Sequence, residues 1–132
     1  MNKAVFLDRD GTINKEVDFC HTKEDTMLLP GAVEGMRMLQ EAGFFLIIVT
    51  NQSGIARGLF TEEEYLEYSK WFEKMLFERK VTITKTYYCP HLPEAAVEKY
   101  KAECNCRKPK IALFEQAIAD NDISSENSWA IG

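Results

Sequence analysis

The chain has 132 residues, 45% of them hydrophobic, and a formal net charge of −5, so its length and composition favour one domain with an apolar core. This composition argues against a disordered chain, and the acidic balance argues against a general binder of nucleic acids or anionic membranes. The sequence has neither an apolar run long enough for a membrane span nor a signal-peptide layout at its N-terminus, so we expect a cytoplasmic protein.

Segments with strand and helix patterns alternate along the chain. Short apolar or β-branched segments predict strands at residues 4–7, 44–49, 81–88 and 128–132. Apolar residues at helical spacing predict helices at 33–42, from Thr61 to about Arg79 after a Thr61–Glu64 capping box, and at 110–119. The residues expected to face the core from these helices are Val33, Met36, Leu39 and Ala42, then Tyr65, Leu66, Phe72, Met75 and Leu76, and last Ile111, Leu113, Phe114, Ala117 and Ile118.

This alternation predicts an α/β fold, with an open Rossmann-like parallel sheet, helices on both faces and right-handed crossovers. In such sheets, ligands bind beyond the carboxyl ends of the strands. Polar segments follow three of the predicted strands, at residues 8–10, at residues 50–53 and from Cys89 onwards. We therefore expect these segments to converge on one crevice.

Asp8 and Asp10 directly follow the first predicted strand, with Gly11 and Thr12 behind them. The pair could simply cap a turn. At the end of a buried strand, however, two adjacent carboxylates suit Mg²⁺, which takes carboxylates together with phosphate oxygens. When a cation offsets their repulsion, one acid can attack while the other transfers a proton. We interpret the pair as catalytic and magnesium-binding.

Further polar residues could hold an anion at the same edge. The Thr50 hydroxyl and the amides of residues 51–54 can bind phosphate oxygens, although an ordinary turn has the same composition. Lys108 is expected at the start of the third helix, where the helix dipole adds to its charge, and Arg107 adds a guanidinium fork. A solvated basic run is the competing explanation for this pair, and Arg57 is interpreted as a solvated surface arginine.

Three cysteines and one histidine have the spacing of a metal site. The four residues are Cys89, His91, Cys104 and Cys106. A Cys₃His set fits tetrahedral Zn²⁺ in a closed structural site, and the alternatives are reduced cysteines or a disulfide. Zinc would stabilise loop 89–106, which has few apolar residues of its own. It would also fix Arg107 and Lys108, because they directly follow Cys106.

Five segments of the chain resemble the haloacid-dehalogenase-like (HAD) phosphatases: FLDRDGTIN, VTNQSGIARG, YYCPH, CNCRKP and the terminal AIG. Within that superfamily, the chain is most similar to the D-glycero-D-manno-heptose-1,7-bisphosphate phosphatases and the related histidinol-phosphate phosphatases. The resemblance covers essentially the whole chain, with the motifs in order and at matching spacing. It implies a single HAD-like domain over residues 1–132 without a large cap, in which loop 89–106 forms a partial wall of the site.

The resemblance also implies a role for each candidate residue. Asp8 would form an aspartyl-phosphate, and Asp10 would act as general acid and then as general base. Thr50 and Lys108 would orient and neutralise the phosphoryl group. Mg²⁺ would be held by the Asp8 carboxylate and the Asp10 backbone carbonyl. The implied substrate-contacting residues are Glu16, Val17, Asp18, Phe19, Asn51, Gln52, Ser53 and Arg107.

The implied activity is Mg²⁺-dependent hydrolysis of D-glycero-D-manno-heptose 1,7-bisphosphate. Histidinol phosphate is the alternative substrate, because Asp18 and Cys20 stand where the heptose-bisphosphate enzymes usually have glycine and valine around the aromatic residue. An alternative of another class is a zinc-stabilised phosphate-binding fragment without turnover.

The resemblance further implies that relatives continue past Ile131 and Gly132 into an acidic Mg²⁺ ligand and at least one more strand. We therefore expect a C-terminally truncated chain that lacks the last strand or strands, binds Mg²⁺ poorly and hydrolyses phosphomonoesters weakly. Its expected partner is a small phosphorylated metabolite, with no nucleic acid and no membrane. The full-length protein is expected to be a monomer.

Overall fold

The computed structural model describes residues 1–102, 104, 106–108 and 111–132, and within them strands and helices alternate as the sequence predicts. In chain order the elements are β1 (Ala4–Leu7), α1 (Ala32–Glu41), β2 (Phe45–Asn51), α2 (Glu62–Glu78), β3 (Ile83–Cys89), α3 (Ala112–Asn121) and β4 (Trp129–Ile131). Among these helices, none combines the length and the apolar character needed to cross a membrane.

The four strands form one sheet in the order β3–β2–β1–β4, and every neighbouring pair is parallel. Because the strands are parallel, their carboxyl ends lie at one edge of the sheet, where Leu7 of β1 pairs with Ile131 of β4 and Asn51 of β2 pairs with Cys89 of β3. The predicted open parallel sheet of an α/β fold is confirmed.

Helices cover both faces of the two central strands. On one face, Val5, Leu7, Leu46 and Ile48 pack with Met36 of α1 and with Tyr68, Phe72 and Leu76 of α2. On the other face, Ala4, Phe6, Ile47 and Val49 pack with Leu113 and Ala117 of α3. Burial on both faces explains why β1 and β2 are continuously apolar in sequence instead of alternating with polar residues.

Three core assignments in the helices are wrong. Ala42 is exposed and follows α1, which ends at Glu41. Leu66 is 46% exposed, whereas Tyr68 is 6% exposed, because the buried stripe of α2 runs through residues 65, 68, 72 and 76. Leu66 lies beside that stripe. Ile111 is 62% exposed and precedes α3, which begins at Ala112. The predicted helix start at residue 110 lies outside the described residues.

The boundaries of β2, β3 and β4 also differ from the prediction, by at most two residues. Strand β3 begins at Ile83 and not at Val81, because the Val81 amide still donates to the Leu76 carbonyl at 3.0 Å and closes the end of α2. Strand β2 extends through Thr50 to Asn51, so two predicted phosphate-contacting residues belong to the strand and not to the following turn. Pairing with β3 keeps these two residues extended.

A half-buried carboxyl group on α2 provides a test of the packing against β3. Thr86 Oγ1 donates to Glu73 Oε2 at 2.9 Å, and burial raises the pKa of Glu73 above its ordinary value of 4.5. Because folding raises this carboxyl pKa, the protonated group contributes its full stabilisation at pH values below the pKa of the unfolded chain. That contribution is lost as the pH rises through the pKa of the folded protein. At neutral pH, ionised Glu73 therefore lowers the free energy of unfolding.

We expect Glu73→Gln to raise the free energy of unfolding at pH 7 by less than about 1 kcal/mol, since solvent screens a half-buried carboxylate. The glutamine carbonyl oxygen can still accept the Thr86 hydroxyl. Urea unfolding at neutral pH and at pH 4 measures the effect, which should vanish at the lower pH. Glu67→Gln on the exposed side of α2 is the control and should change little. An equal gain from both variants would rule out this explanation.

Candidate active site

The carboxyl ends of β1 and β2 bring three candidate residues together. Asp8 directly follows β1, Thr50 is the penultimate residue of β2, and Lys108 lies in the segment before α3. The Lys108 ammonium lies 3.2 Å from Asp8 Oδ1 and donates to the Val49 carbonyl at 2.8 Å. The ammonium thus lies between the ends of two neighbouring strands, beside the candidate nucleophile.

The side chain of Asn51 holds Lys108 in this position. The Lys108 backbone amide donates to Asn51 Oδ1 at 2.9 Å, and Asn51 Nδ2 donates to the Lys108 carbonyl at 3.3 Å. The sequence predicts Lys108 at the start of the third helix, but α3 begins at Ala112 with Ile111 as its N-cap. The predicted position is therefore wrong. Lys108 precedes the N-cap by three residues and lies outside the first turn, where the helix dipole mainly acts.

The carboxylates of Asp8 and Asp10 contact different cations. Asp8 Oδ1 accepts the Arg9 backbone amide at 2.8 Å and faces Lys108. Asp10 instead accepts the Arg9 guanidinium, from Nε to Oδ1 at 3.1 Å and from Nη2 to Oδ2 at 3.0 Å. The repulsion between the two acids is therefore offset by two protein cations, each bound to one acid.

Arg9 is a residue that sequence reasoning missed, and it is only 2% exposed. Its guanidinium carbon lies 5.1 Å from the Tyr68 ring centroid and 5.9 Å from that of Phe72, both on α2. Only a partial signal was present in the sequence: alternation along β1 puts position 9 on the same face as Val5 and Leu7, which pack against α1 and α2. Arg9 accordingly lies on the face of the sheet that α1 and α2 cover.

The oxygen atoms at the end of β1 suit a hard cation. The side chains of Asp8 and Asp10 are 31% and 24% exposed, so solvent and small ions reach them. Lys108 and the Arg9 amide both contact Oδ1 of Asp8, on one side of the carboxylate. Mg²⁺ prefers oxygen ligands and usually retains several waters. The Asp8 carboxylate and the Asp10 backbone carbonyl are the ligands that these residues would offer to it.

The Thr50 hydroxyl is oriented by a buried amide. Thr50 and Gln52 are 1% and 4% exposed, and Gln52 Nε2 donates to Thr50 Oγ1 at 3.0 Å. The hydroxyl oxygen accepts this bond, and its own proton is donated to the Asn51 carbonyl at 3.5 Å, a long contact that an anionic oxygen could replace. Gln52 therefore orients the Thr50 hydroxyl group.

Two distant segments line a cavity of about 200 Å³ next to Asp10. Its wall contains seven of the eight predicted substrate-contacting residues: Glu16, Val17, Asp18, Phe19, Asn51, Gln52 and Ser53. Arg107 is not among the described residues of that wall. At its rim, the Arg57 guanidinium carbon lies 5.4 Å from the ring centroid of Phe19. The structure thus brings the loop between β1 and α1, here called the first loop, together with the end of β2 at one cavity.

The four candidate zinc ligands cluster at the end of β3 and in the segment that follows it. The possible ligand atoms of Cys89, His91, Cys104 and Cys106 all lie within 4.8 Å of one another. Cys104 Sγ lies 3.2 Å from Cys89 Sγ and 3.1 Å from Cys106 Sγ, and His91 Nδ1 lies 3.3 Å from Cys106 Sγ. Three thiols and one imidazole are a donor set that fits Zn²⁺.

The same cluster contains a direct sulfur–sulfur contact between Cys89 and Cys106, the pair that would form a disulfide under oxidising conditions. A disulfide would use two of the four side chains, whereas zinc would use all four. The convergence of His91 and Cys104 on the same point therefore favours a metal.

Comparison with known proteins gives a consistent set of relatives, although no protein-family model matches the chain. The chain is 42% identical over 132 residues to the D-glycero-beta-D-manno-heptose-1,7-bisphosphate 7-phosphatase of Haemophilus influenzae, covering 100% of this chain and 71% of that protein. It is 44% identical over 129 residues to the protein of the same name from Photorhabdus laumondii, covering 98% of this chain and 69% of that protein.

A solved structure shows the same similarity. The D,D-heptose 1,7-bisphosphate phosphatase from B. bronchiseptica, complexed with magnesium and phosphate, superposes with a TM-score of 0.83 at 28% identity. The superposition covers 98% of this chain and 69% of that chain. The family resemblance found in the sequence is therefore confirmed, while the roles of individual site residues remain predictions.

Proposed function

Because the chain belongs to the heptose-1,7-bisphosphate phosphatase family of the HAD-like phosphatases, we propose that it hydrolyses a phosphate ester of a small sugar bisphosphate through an aspartyl-phosphate on Asp8. The preferred substrate is D-glycero-D-manno-heptose 1,7-bisphosphate, which the names of the relatives suggest. The observation that carries the proposal is the 3.2 Å contact between Lys108 Nζ and Asp8 Oδ1, because it puts a cation beside a carboxylate at the end of the strand.

In the proposed first step, an Asp8 carboxylate oxygen attacks the phosphorus atom. Phosphoryl transfer requires mainly positioning and neutralisation of charge. Lys108 neutralises the phosphoryl oxygens, and Thr50 donates its hydroxyl proton to one of them. Mg²⁺, when held by the Asp8 carboxylate and the Asp10 carbonyl, would supply further positive charge at the phosphate.

Asp10 moves the proton in both half-reactions. It first protonates the ester oxygen that leaves with the sugar, and it then takes a proton from the water that hydrolyses the aspartyl-phosphate. The Asp10 side chain is 24% exposed and lines the cavity, so it can reach both the sugar oxygen and the incoming water.

The sugar is proposed to lie in the cavity between Glu16–Phe19 and Asn51–Ser53. The acidic side chains of this wall can accept hydrogen bonds from sugar hydroxyl groups. Arg107 Nη1 is buried and lacks a hydrogen-bond partner among the described residues. A buried donor in that state is costly, so an anionic group of the substrate is a suitable partner for it. We treat residues 1–132 as one capless domain in which loop 89–106 forms part of the wall.

A side-by-side assay tests the proposed function. The purified chain with Mg²⁺ and Zn²⁺ is given D-glycero-D-manno-heptose 1,7-bisphosphate, histidinol phosphate and p-nitrophenyl phosphate, and released phosphate is measured. We expect kcat/KM for the bisphosphate to exceed that for histidinol phosphate by at least about tenfold, since each well-placed contact changes binding by about 1.4 kcal/mol or more.

A preference for histidinol phosphate would keep the mechanism and overturn the substrate. Binding of inorganic phosphate without turnover of any ester would overturn the enzymatic function and support a phosphate-binding fragment. Omission of Mg²⁺ is the internal control and should abolish the activity.

A further inference from the structure

Arg9 is a buried cation that has no role in the two proposed steps. Its side chain is 3% exposed, and its fork binds both carboxylate oxygens of Asp10, at 3.1 and 3.0 Å. Nη2 also donates to the Cys20 backbone carbonyl at 2.8 Å, which ties the fork to the first loop. A bidentate contact of this kind fixes the orientation of a carboxylate as well as its charge.

The surroundings of Arg9 favour this single arrangement. The rings of Tyr68 and Phe72 lie against its guanidinium, and aromatic faces attract a cation. Tyr68 is itself fixed by a hydrogen bond of 2.6 Å between its hydroxyl group and Thr26 Oγ1. A buried guanidinium that lost its carboxylate partner would be strongly destabilising. Arg9 and Asp10 therefore stay paired.

A second buried side chain contacts the same carboxylate. Asn14 is 0% exposed, and its Nδ2 donates to Asp10 Oδ1 at 3.0 Å. A carboxylate offers about four lone-pair sites, two on each oxygen. Arg9 Nε and Asn14 Nδ2 occupy both sites on Oδ1, and Arg9 Nη2 occupies one site on Oδ2. Within the described part of the chain, one site on Oδ2 then remains for chemistry.

From this count we infer that Arg9, assisted by Asn14, is a positioning residue that makes Oδ2 the proton-carrying oxygen of Asp10. The inference rests on the proposed function, because it gives one atom of Asp10 the task of general acid and base. Arg9 itself touches neither the substrate nor the reacting atoms in this account.

The proton balance of the two steps is simple. In the first step Asp8 bonds to phosphorus, the ester P–O bond breaks, and the proton on Oδ2 moves to the leaving sugar oxygen. In the second step a water oxygen bonds to phosphorus, the bond between Asp8 and phosphorus breaks, and one water proton moves to Oδ2. Asp10 is then protonated again.

A sugar alkoxide needs this proton to leave, whereas p-nitrophenolate is stable enough to leave without it. A variant that disturbs Oδ2 should therefore lower kcat more for the sugar ester than for the aryl ester. A general loss of structure would lower kcat for both esters alike. General acid catalysis contributes about 10²–10⁴-fold to a rate, so the difference is large enough to measure.

The test compares Arg9→Lys with wild type on the heptose bisphosphate and on p-nitrophenyl phosphate. Lysine keeps the charge but cannot bind both carboxylate oxygens in a fork. We expect kcat to fall by about 10²-fold on the sugar ester and by less than about tenfold on the aryl ester. Arg37→Lys is the matched control, because Arg37 also makes a forked contact, to the Arg79 carbonyl, far from the site.

Equal losses of Arg9→Lys on both esters would overturn the inference. Circular dichroism checks that the variant folds, and Asn14→Ser serves if it does not, with the same direction of selectivity expected. If wild type hydrolyses neither ester, the proposed function fails. The pairing is then decided by side-chain NMR: a slowly exchanging Arg9 Nε–H that becomes fast in Asp10→Ala supports the positioning role, and fast exchange in wild type refutes it.

Discussion

Replacing Asp8 with asparagine is expected to lower kcat for the sugar bisphosphate by at least about 10⁴-fold, as removal of a covalent nucleophile does in other enzymes. The amide that replaces the carboxylate lacks the anionic oxygen that would attack phosphorus. It also loses the charge that faces Lys108 Nζ at 3.2 Å. The measurement is phosphate release at saturating substrate and Mg²⁺, with the melting temperature recorded to show that the variant is folded.

Asp25→Asn is the matched control, since Asp25 is an exposed acid of the first loop that lies outside the candidate site. It should retain the activity of wild type. Unchanged hydrolysis by Asp8→Asn would exclude Asp8 as the nucleophile, because the amide cannot form an aspartyl-phosphate.

Replacing Cys106 with serine is expected to abolish zinc binding and to lower the melting temperature by on the order of 10 °C. The described residues of loop 89–106 contribute few apolar side chains to the core, so metal ligation would stabilise the loop in place of packing. Activity should fall with stability even though Cys106 touches no substrate, because Lys108 follows it by two residues and faces Asp8. Zinc content by mass spectrometry and thermal melting measure the two effects.

Cys20→Ala is the matched control, because Cys20 is a buried cysteine that packs in the core beside α2, away from the cluster. It should keep its zinc and lose only stability. A chelator added to wild type should lower the melting temperature, and a reductant should not. The reverse result would identify a Cys89–Cys106 disulfide as the stabilising element.

The fold is predictable from the sequence because β1 and β2 are buried on both faces and are therefore continuously apolar. The cluster of four possible metal ligands is predictable as well, since the spacing within each of its two pairs is a local property of the chain. The capping box at Thr61 and Glu64 is local as well, and both of its hydrogen bonds are present at the start of α2.

The contacts that position the site are less accessible to sequence reasoning, because they join distant residues. Asn51 holds Lys108 across 57 positions of the chain, and Val49 accepts its ammonium across 59. Arg9 depends on aromatic residues of α2 that lie about sixty positions away in sequence. Its sequence neighbourhood alone does not distinguish a buried clamp from a solvated arginine.

The central claim is that the phosphoryl group passes through Asp8, and chemical trapping tests it most directly. The enzyme is mixed with the heptose bisphosphate and Mg²⁺, quenched during turnover with borohydride, which reduces an acyl phosphate to an alcohol, and digested for mass spectrometry. We predict homoserine at residue 8 only when substrate is present. Sustained phosphate release with residue 8 unmodified, or with the modification at another acid, would contradict this account.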